Sequence, residues 1–298
     1  MSSEAILTVR SFYRALTLRV GVFTDSFLGR GRPLAQARLL FEIGEEGADV
    51  RDLRSRLDLD SGYLSRMLRS LERDGLVEVA ALEADLRSRR ARLTAAGLEE
   101  LKQLNRLGDG FAEETLQPLN EAERARLVAA MSEVEKLLNL AFTRISVEDP
   151  DSPDAKWCLQ HYYAELGERF EQSFDPRRSL PAGSDDLRPP RGAFLVARLD
   201  GRPVGCGAVK AAGPGVGSIK RMWVSPAVRG AGVGRRLLLA LEREAAGLGM
   251  ELLRLETNRS LHEAQALYRR NGYREVPAFN DEPYAHHWFE KRIAPRDG

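Results

Sequence analysis

Apolar residues recur at intervals of three and four through about the first 145 residues, which is the spacing of an amphipathic helix. This part of the chain is rich in Leu, Arg, Glu and Ala, and its two prolines are Pro33 and Pro118. The pattern predicts helices over 50–57 and 61–74 joined by a short turn, with Gly75 ending the second helix. Two strands of a hairpin are predicted next, one over 76–80 and one ending at 94.

The pattern changes after residue 145. The segment 146–153 is polar, acidic and interrupted by prolines, which is typical of a linker. Beyond it, alternating runs predict strands over 194–198 and 204–210 around the turn Asp200-Gly201, and further strands over 218–224, 251–257 and 287–293. Helices are predicted over 157–174, 233–248 and 261–271. The proline-rich segment 175–192 is predicted as a long loop, which we expect to act as a lid.

The two faces of the helix predicted over 61–74 differ in character. One face is an apolar stripe at helical spacing, formed by Leu64, Met67, Leu68 and Leu71. The other face is polar and basic, with Ser61, Ser65, Arg66, Arg69 and Arg73. A slim helix of this kind suits a DNA major groove, because Arg can reach guanine edges or phosphates. The basic segment 85–90 is expected at the tip of the following hairpin, where it could touch the neighbouring minor groove or the backbone.

The segment 62–76, GYLSRMLRSLERDGL, resembles the recognition helix of the MarR family of winged helix-turn-helix regulators. The residues Asp85-Leu-Arg87, Arg89-Arg90 and LTAAG at 93–97 are similar to that family's wing. The resemblance covers about residues 1–145 and implies an all-α-rich winged fold. It also implies a homodimer held by helices at about 4–28 and 98–139, and binding to near-palindromic double-stranded DNA.

The MarR resemblance also implies which residues contact DNA. The expected base or phosphate contacts are Ser61, Tyr63, Ser65, Arg66 and Arg69, the expected wing contact is Arg87, and the expected phosphate contacts are Arg89 and Arg90. Two other interpretations stay open. The arginines can form a solvated helical face without a ligand, or the module can serve only to make dimers.

The segment RGAGVG at 229–234 follows a predicted strand and opens a predicted helix. Glycines allow the main chain to approach a ligand closely, and a helix N-terminus supplies free N–H groups and a positive dipole end. The segment therefore predicts a site for phosphate groups. It is not a Walker A loop, because no Lys-Ser or Lys-Thr follows Gly234, and its glycine spacing is not the dinucleotide fingerprint.

With its surroundings, this loop resembles the motif Arg/Gln-x-x-Gly-x-Gly/Ala of the GNAT N-acetyltransferase family, matched by Arg229, Gly232 and Gly234. The segments 222–226, 252–258 and 264–273 are similar to that family's fourth strand, fifth strand and following helix. The resemblance covers about residues 154–293. It implies an α+β fold with a mixed central sheet, acetyl-CoA as co-substrate and an amine as acetyl acceptor. The implied acetyl-CoA contacts are Met222, Trp223, Val224, Arg229, Gly230, Gly232, Val233, Gly234 and Asn258.

Two residues are implied as catalytic. Tyr268 stands at the family's acid position, where it would protonate the leaving thiolate, and Glu256 is a candidate base twelve residues earlier. A backbone N–H between Met222 and Val224 would stabilise the developing oxyanion. Two alternatives stay open: Tyr268 can be a core aromatic residue, and Glu256 can be a solvated carboxylate at the end of a strand.

Arg221 is the candidate for acceptor recognition. Many GNAT proteins carry a carboxylate at this position of the fourth strand, whereas this chain has Lys220-Arg221. Neighbouring residues of a strand face opposite sides, so we expect only one of these cations to line the site. A cation there would attract an acceptor amine that also bears a carboxylate. The alternative is surface charge on an exposed strand.

Composition limits these interpretations without choosing among them. The chain has 298 residues, of which 43% are apolar and 30% charged, and its formal charge is +1, so a basic surface has to be local. No apolar run approaches the ~20 residues that span a bilayer, and no secretory signal is visible, so we expect a cytoplasmic protein. Two cysteines and four histidines show no zinc spacing, so no metal is expected.

We therefore expect a DNA-binding and dimerisation domain over 1–145, a linker over 146–153 and an acetyltransferase domain over 154–298. The expected function is acetyl-CoA-dependent N-acetylation of a small, carboxylate-bearing amine, with a fused regulator domain. One alternative is a transcription regulator whose acetyltransferase domain is a non-catalytic sensor of acetyl-CoA or another ligand. Another is a protein lysine acetyltransferase.

Overall fold

The computed structural model describes residues 2–20, 26–82, 85–171, 174–180 and 182–294, without the side chains of 82 and 85–88. The chain divides into two compact units, Met1–Val128 and Ala129–Gly298, and each is described here by itself. No helix in the described ranges is long and apolar enough to cross a bilayer.

The first unit is a helical domain with one small antiparallel sheet. Its described helices are α1 (Ser3–Arg19), α2 (Leu34–Ile43), α3 (Val50–Arg56), α4 (Ser61–Arg73) and α5 (Ala95–Leu116), and its strands are β1 (Ala48–Asp49), β2 (Val77–Leu82) and β3 (Asp85–Leu93). The strand order is β1-β3-β2. A further helix, α6 (Glu121–Phe142), contains the point where the chain divides. The core includes the fully buried Leu40 of α2, Leu53 of α3 and Leu64 of α4.

The predicted pair of helices is confirmed. Asp60 caps α4, since its Oδ1 accepts a hydrogen bond from the Tyr63 N–H at 3.0 Å. All four residues of the predicted apolar stripe of α4 are buried. The helix ends as predicted, because Gly75 takes a φ of +71°, a left-handed conformation that favours glycine.

Three predictions for the first unit are wrong in detail. The described N-terminal helix ends at Arg19 and not near residue 28. The expected helix over 98–139 is interrupted between α5 and α6, because Pro118 lacks an N–H group and Asn120 begins a new helix by accepting a hydrogen bond from the Glu123 N–H at 3.0 Å. The basic segment 85–90 lies in β3 itself and not at the hairpin tip.

The second unit is an α+β domain around a seven-stranded mixed sheet, as predicted. Its strands are β4 (Arg144–Glu148), β5 (Gly192–Leu199), β6 (Arg202–Gly213), β7 (Val216–Val224), β8 (Leu252–Thr257), β9 (Arg274–Val276) and β10 (His287–Arg292), and its helices are α7 (Pro153–Arg169), α8 (Val233–Gly247) and α9 (His262–Arg270). The strand order is β4-β5-β6-β7-β8-β10-β9. The pair β7–β8 is parallel, and the other pairs are antiparallel.

Both faces of the sheet are covered. Along β5, Ala193 and Leu195 pack into the cluster that contains residues of α8, while Phe194 and Val196 pack into the cluster that contains residues of α7. This is the alternation expected of a strand buried on both sides. Helix α7 runs over Pro153–Arg169, so it begins and ends earlier in the chain than the predicted helix over 157–174.

The segment predicted as a linker is only partly a connector. Its first three residues, 146–148, belong to β4, where Ser146 lies opposite Val196 and Glu148 opposite Phe194. The acidic character that suggested a linker is balanced by Arg198, whose Nη2 lies 2.6 Å from carboxylate oxygens of both Glu148 and Asp154. The start of the predicted linker is therefore part of β4, the edge strand of the sheet beside β5.

Candidate functional site

The neighbouring strands β7 and β8 are joined only along their first residues. The parallel register begins with Val216 opposite Leu252 and ends with Ser218 opposite Arg254, although the strands continue to Val224 and Thr257. Main-chain groups beyond that point face an opening instead of a ladder partner. The opening leads into a cavity of about 420 Å³, lined by residues of both strands, of α7 and of α9.

A β-bulge in β7 shapes the wall of this cavity. Lys220 lies opposite Ala208 and Trp223 lies opposite Cys206, so two residues of β7 face one residue of β6. Arg221, inside the bulge, has a φ of +56°, which is an uncommon and strained conformation for a residue with a side chain. As a result Lys220 and Arg221 both line the cavity, and the expectation that only one would do so is wrong.

Tyr268 lies in the wall of the cavity with 6% of its surface exposed, on helix α9. Its ring contacts Tyr273 and Phe289, with centroid distances of 5.9 Å to each. Burial, and to a lesser degree the charge of Glu256, raises the pKa of Tyr268 well above that of an ordinary phenol. The phenol therefore stays protonated at neutral pH and is available as a proton donor.

Glu256 also lines the cavity, but it is not a solvated carboxylate at a strand end. Its side chain is only 6% exposed, and it forms an ion pair with Lys220 across the gap between the strands. The Asn280 Nδ2 lies 3.5 Å from its second oxygen. The structure thus brings the two catalytic candidates into one cavity, with the charge of Glu256 already balanced by Lys220.

The glycine-rich loop leads directly into the N-terminus of α8. Gly230 and Gly232 have φ values of +78° and +91°, which residues with a side chain rarely adopt. Gly232 precedes the helix and offers no side chain to cap it, so the first N–H groups of α8 are not capped from that position. A Cβ atom at Gly230 would meet nothing within 4 Å, so the loop is open there. These features fit the phosphates of acetyl-CoA.

Arg229 has an internal role that the sequence did not indicate. Its Nη2 lies 2.5 Å from Glu165 Oε2, and its Nε donates to the Val224 carbonyl at 2.9 Å. Glu165 also accepts from Trp223 Nε1 at 2.9 Å and from Arg169 Nη1 at 3.1 Å. Burial alone would raise the pKa of Glu165, but these three donors hold it below its ordinary value. Arg229 thus fastens the start of the loop to α7.

The other predicted acetyl-CoA contacts differ in where their side chains lie. Met222 lines the cavity, and Gly234 lies in the first turn of α8. The side chains of Trp223, Val224 and Val233 pack in apolar clusters, so those residues can offer only main-chain groups. Asn258 is engaged elsewhere as well, since its Nδ2 donates to the Tyr284 carbonyl at 2.8 Å and its Oδ1 accepts from the Ser260 N–H at 3.0 Å.

Aromatic residues form one wall of the cavity. Tyr163 and Phe174 are stacked at 5.8 Å, and Phe174 and Tyr284 lie 4.9 Å apart. Arg221 donates from Nη2 to the Ala182 carbonyl at 2.6 Å, so it reaches the segment predicted as a lid. Glu282, which sequence reasoning missed, lines the same cavity. No local motif marks it, because it lies between β9 and β10 in a segment without regular structure.

In the first unit, α4 presents most of the predicted DNA contacts at the surface. Ser61, Tyr63, Arg66 and Arg69 are exposed, Ser65 is half-buried, and the Arg66 guanidinium lies 5.9 Å from the centre of the Tyr63 ring. A cavity of about 240 Å³ beside α4 is lined by three arginines and two serines, which are Arg51, Arg54, Arg89, Ser61 and Ser65, together with Asp49, Val50 and Leu64. Its basic lining suits a phosphate group.

Two predicted wing residues need separate comment. Arg90, a predicted phosphate contact, donates hydrogen bonds from its Nη2 to the Glu46 carbonyl at 2.9 Å and to the Gly47 carbonyl at 3.2 Å. The side chain of Arg87 lies outside the described residues. In the part of the chain that the structure describes, no group of His, Cys, Asp and Glu side chains could hold a metal ion.

Three features together define the class of acyl-CoA-binding acyltransferases. They are an opened strand pair, a buried tyrosine in the cavity beside it, and a glycine-rich loop at a helix N-terminus. Residues 155–273 match the acetyltransferase (GNAT) family, and residues 30–88 match the MarR family. An uncharacterised N-acetyltransferase of Schizosaccharomyces pombe is 33% identical over 139 residues, which are 46% of this chain and 81% of that protein. The chain therefore belongs to the GNAT family of acetyltransferases, with a MarR family region ahead of the acetyltransferase region.

Two other proteins are similar to parts of this chain. The IAA acetyltransferase of Azospirillum brasilense is 45% identical over 92 residues, which are 30% of this chain and 59% of that relative's length. A GNAT family acetyltransferase from Elizabethkingia anophelis, solved with acetyl-CoA bound, is 15% identical with a TM-score of 0.37, covering 51% of this chain and 99% of that one.

Proposed function

We propose that this protein transfers acetyl from acetyl-CoA to a small amine that also bears a carboxylate. The observation that carries this proposal is the opening between β7 and β8, because residues of both strands line the cavity whose wall contains the buried Tyr268. One relative is named an IAA acetyltransferase, which supports a small acceptor and not a protein. The aromatic wall and the two cations in one cavity support an acceptor with an apolar body and an anionic group.

The chemistry follows from these residues. The neutral amine nitrogen bonds to the thioester carbon, and the carbon–sulfur bond breaks. Main-chain N–H groups of β7 beyond Ser218 stabilise the negative charge that develops on the carbonyl oxygen. Tyr268 gives its phenolic proton to the departing sulfur and takes another from solvent, while the nitrogen loses one proton to solvent. Arg221 binds the carboxylate of the acceptor.

The experiment is thiol release from acetyl-CoA by the purified full-length chain with acidic and neutral amino acids, polyamines, aminoglycosides and a lysine peptide. Tyr268→Phe keeps the ring that packs on Tyr273 and Phe289, so we expect normal folding and a kcat lower by about 10²- to 10⁴-fold. Arg221→Gln should raise KM for carboxylate-bearing acceptors only. Equal losses on neutral amines would contradict the role of Arg221, and full activity of Tyr268→Phe would contradict that of Tyr268.

A second candidate is a regulator that senses acetyl-CoA or an amine without useful turnover. The ion pair between Lys220 and Glu256 favours it, because a carboxylate that already holds a cation is less ready to take a proton from the acceptor. Tight acetyl-CoA binding without thiol release from any amine of the panel would select this candidate over the enzyme.

We also propose that the first unit binds double-stranded DNA as a homodimer. Helix α1 has no buried residue. Five of its exposed apolar side chains share one face at helical spacing, namely Ile6, Val9, Phe12, Tyr13 and Leu16, while Leu7 and Leu18 are exposed on the other side. An apolar face of this size supports a partner helix from a second copy.

The DNA-binding proposal is tested by selecting bound sequences from random duplexes, which should yield a near-palindromic site. Arg66→Ala should abolish its recognition, whereas Arg38→Ala, which removes an exposed arginine paired with Glu42 on α2, should not.

A further inference from the structure

Glu282 is a buried carboxylate in the wall of the cavity, and one of its two oxygens accepts no hydrogen bond from the described residues. It is 8% exposed. Its Oε2 accepts hydrogen bonds from the Ser179 hydroxyl at 2.9 Å and from the Leu180 N–H at 2.8 Å. Its Oε1 is buried and has no hydrogen-bond partner among the described residues. Such an oxygen is costly unless a donor reaches it.

The cations near Glu282 do not supply that donor. Lys220 pairs with Glu256, Arg177 pairs with Asp175, and Arg221 donates to the Ala182 carbonyl. Within the described part of the chain, Glu282 forms no ion pair. No cation that lines the cavity therefore forms an ion pair with Glu282, and the missing partner is a cation that enters from outside.

We propose that Glu282 binds the cationic nitrogen of the acceptor, as a specificity-determining residue of the cavity. The ligand is a primary ammonium compound with an apolar or aromatic body, because Phe170, Phe174 and Tyr284 form the neighbouring wall. The proposal rests on the proposed function, since it names what that site recognises. The bound ammonium then loses one proton to solvent, which leaves the neutral amine for attack on the thioester.

Glu282 also connects the ligand to the segment over the cavity. Through Oε2 it holds Ser179 and Leu180, while the Tyr284 hydroxyl accepts a hydrogen bond from the Asp175 N–H at 2.9 Å. One carboxylate thus serves the segment 174–180 with one oxygen and the ligand with the other. A variant that removes only the contact to the segment separates these two tasks.

The test is calorimetric binding of three probes to the full-length chain without acetyl-CoA. The probes are phenethylamine, phenylalanine and 3-phenylpropionate, which carry the cation alone, both charges, and the anion alone. We expect Glu282→Gln to weaken binding of the two amines by roughly tenfold or more and to leave 3-phenylpropionate unchanged. Ser179→Ala keeps the carboxylate and should weaken all three probes to the same small extent.

Three results would overturn the proposal. They are equal weakening of all probes by Glu282→Gln, no weakening of the amines, and no binding of either amine to the unchanged protein. Unchanged tryptophan fluorescence and an unchanged Kd for acetyl-CoA check that the variant is folded. The proposed acetyl transfer fails on a different result, which is absence of thiol release with every amine, so the two proposals fail separately.

Discussion

Gly232 gives the sharpest test of the phosphate-binding loop. Its φ of +91° lies in the left-handed region, where an L-residue with a side chain is disfavoured by about 1–2 kcal/mol. A Cβ atom there would lie 3.5 and 3.7 Å from the two Cδ atoms of Leu140, which is ordinary contact. The expected loss of stability in Gly232→Ala is therefore conformational, about 1–2 kcal/mol, without an added clash.

Gly234 provides the matched control, two residues further on. It lies within α8, and its Cβ would meet Leu267 and Val224 side-chain atoms at 3.6 Å. Alanine is a better helix former than glycine by about 0.5–1 kcal/mol, so Gly234→Ala should keep or raise stability. Its methyl group would pack toward those side chains and leave the main chain of the loop unchanged.

The assay combines urea unfolding with acetyl-CoA binding. All three tryptophans, Trp157, Trp223 and Trp288, lie in the second unit, so tryptophan fluorescence follows that unit alone. The cost of about 1–2 kcal/mol is shared between the two readouts: strain that stays in the loop of Gly232→Ala lowers the unfolding midpoint, and strain relieved by a changed loop weakens acetyl-CoA binding, by up to roughly 30-fold. The control should keep both. Equal losses of affinity in Gly234→Ala and Gly232→Ala would refute this reasoning. They would mean that the loop needs glycine to leave room for the ligand and not to adopt a left-handed backbone conformation.

Two further predictions concern the first unit, where hydrogen exchange reports local stability. Gly97→Ala should lower the stability of the first unit by about 1–3 kcal/mol, because a Cβ would collide with the Leu76 carbonyl oxygen. Unchanged protection of the amide hydrogens of 34–104 would contradict this. The Arg30 guanidinium hydrogen-bonds to Glu100 and holds the pKa of that carboxyl below its ordinary value of 4.5. The ion pair therefore stabilises the first unit fully above about pH 4.5, and this stabilisation is lost as the pH falls through the lowered pKa. Glu100→Gln should remove this acid dependence, and an unchanged profile would refute the assignment.

Local signals explain what could be predicted from the sequence. The stripe of α4 is set by side-chain spacing within one helix, and its ends are set by Asp60 and Gly75, so each feature is readable within a few residues. The same holds for the glycine loop before α8. Tyr268 was located by its motif, and its buried position follows from the apolar side of α9.

Features that depend on distant partners could not be predicted. Strand β4 has only five residues and is mostly exposed, and it is a strand only because β5 lies beside it. Glu282 has no motif around it, and its importance comes from Ser179 and Leu180, about one hundred residues earlier in the chain. The internal role of Arg229 likewise depends on Glu165 of α7.

The bulge in β7 changes what the cavity can recognise. Strict alternation would turn Lys220 and Arg221 to opposite faces, but the extra residue and the left-handed φ of Arg221 bring both into one cavity. Glu256 balances Lys220, whereas Arg221 meets only a neutral carbonyl and, among the described residues, no carboxylate. One cation, Arg221, and one anion, Glu282, are then left for the ligand. Because each recognises a different charge, phenylalanine should bind more tightly than either phenethylamine or 3-phenylpropionate. Arg221→Gln should lower the affinity for phenylalanine toward that for phenethylamine, and Glu282→Gln should lower it toward that for 3-phenylpropionate.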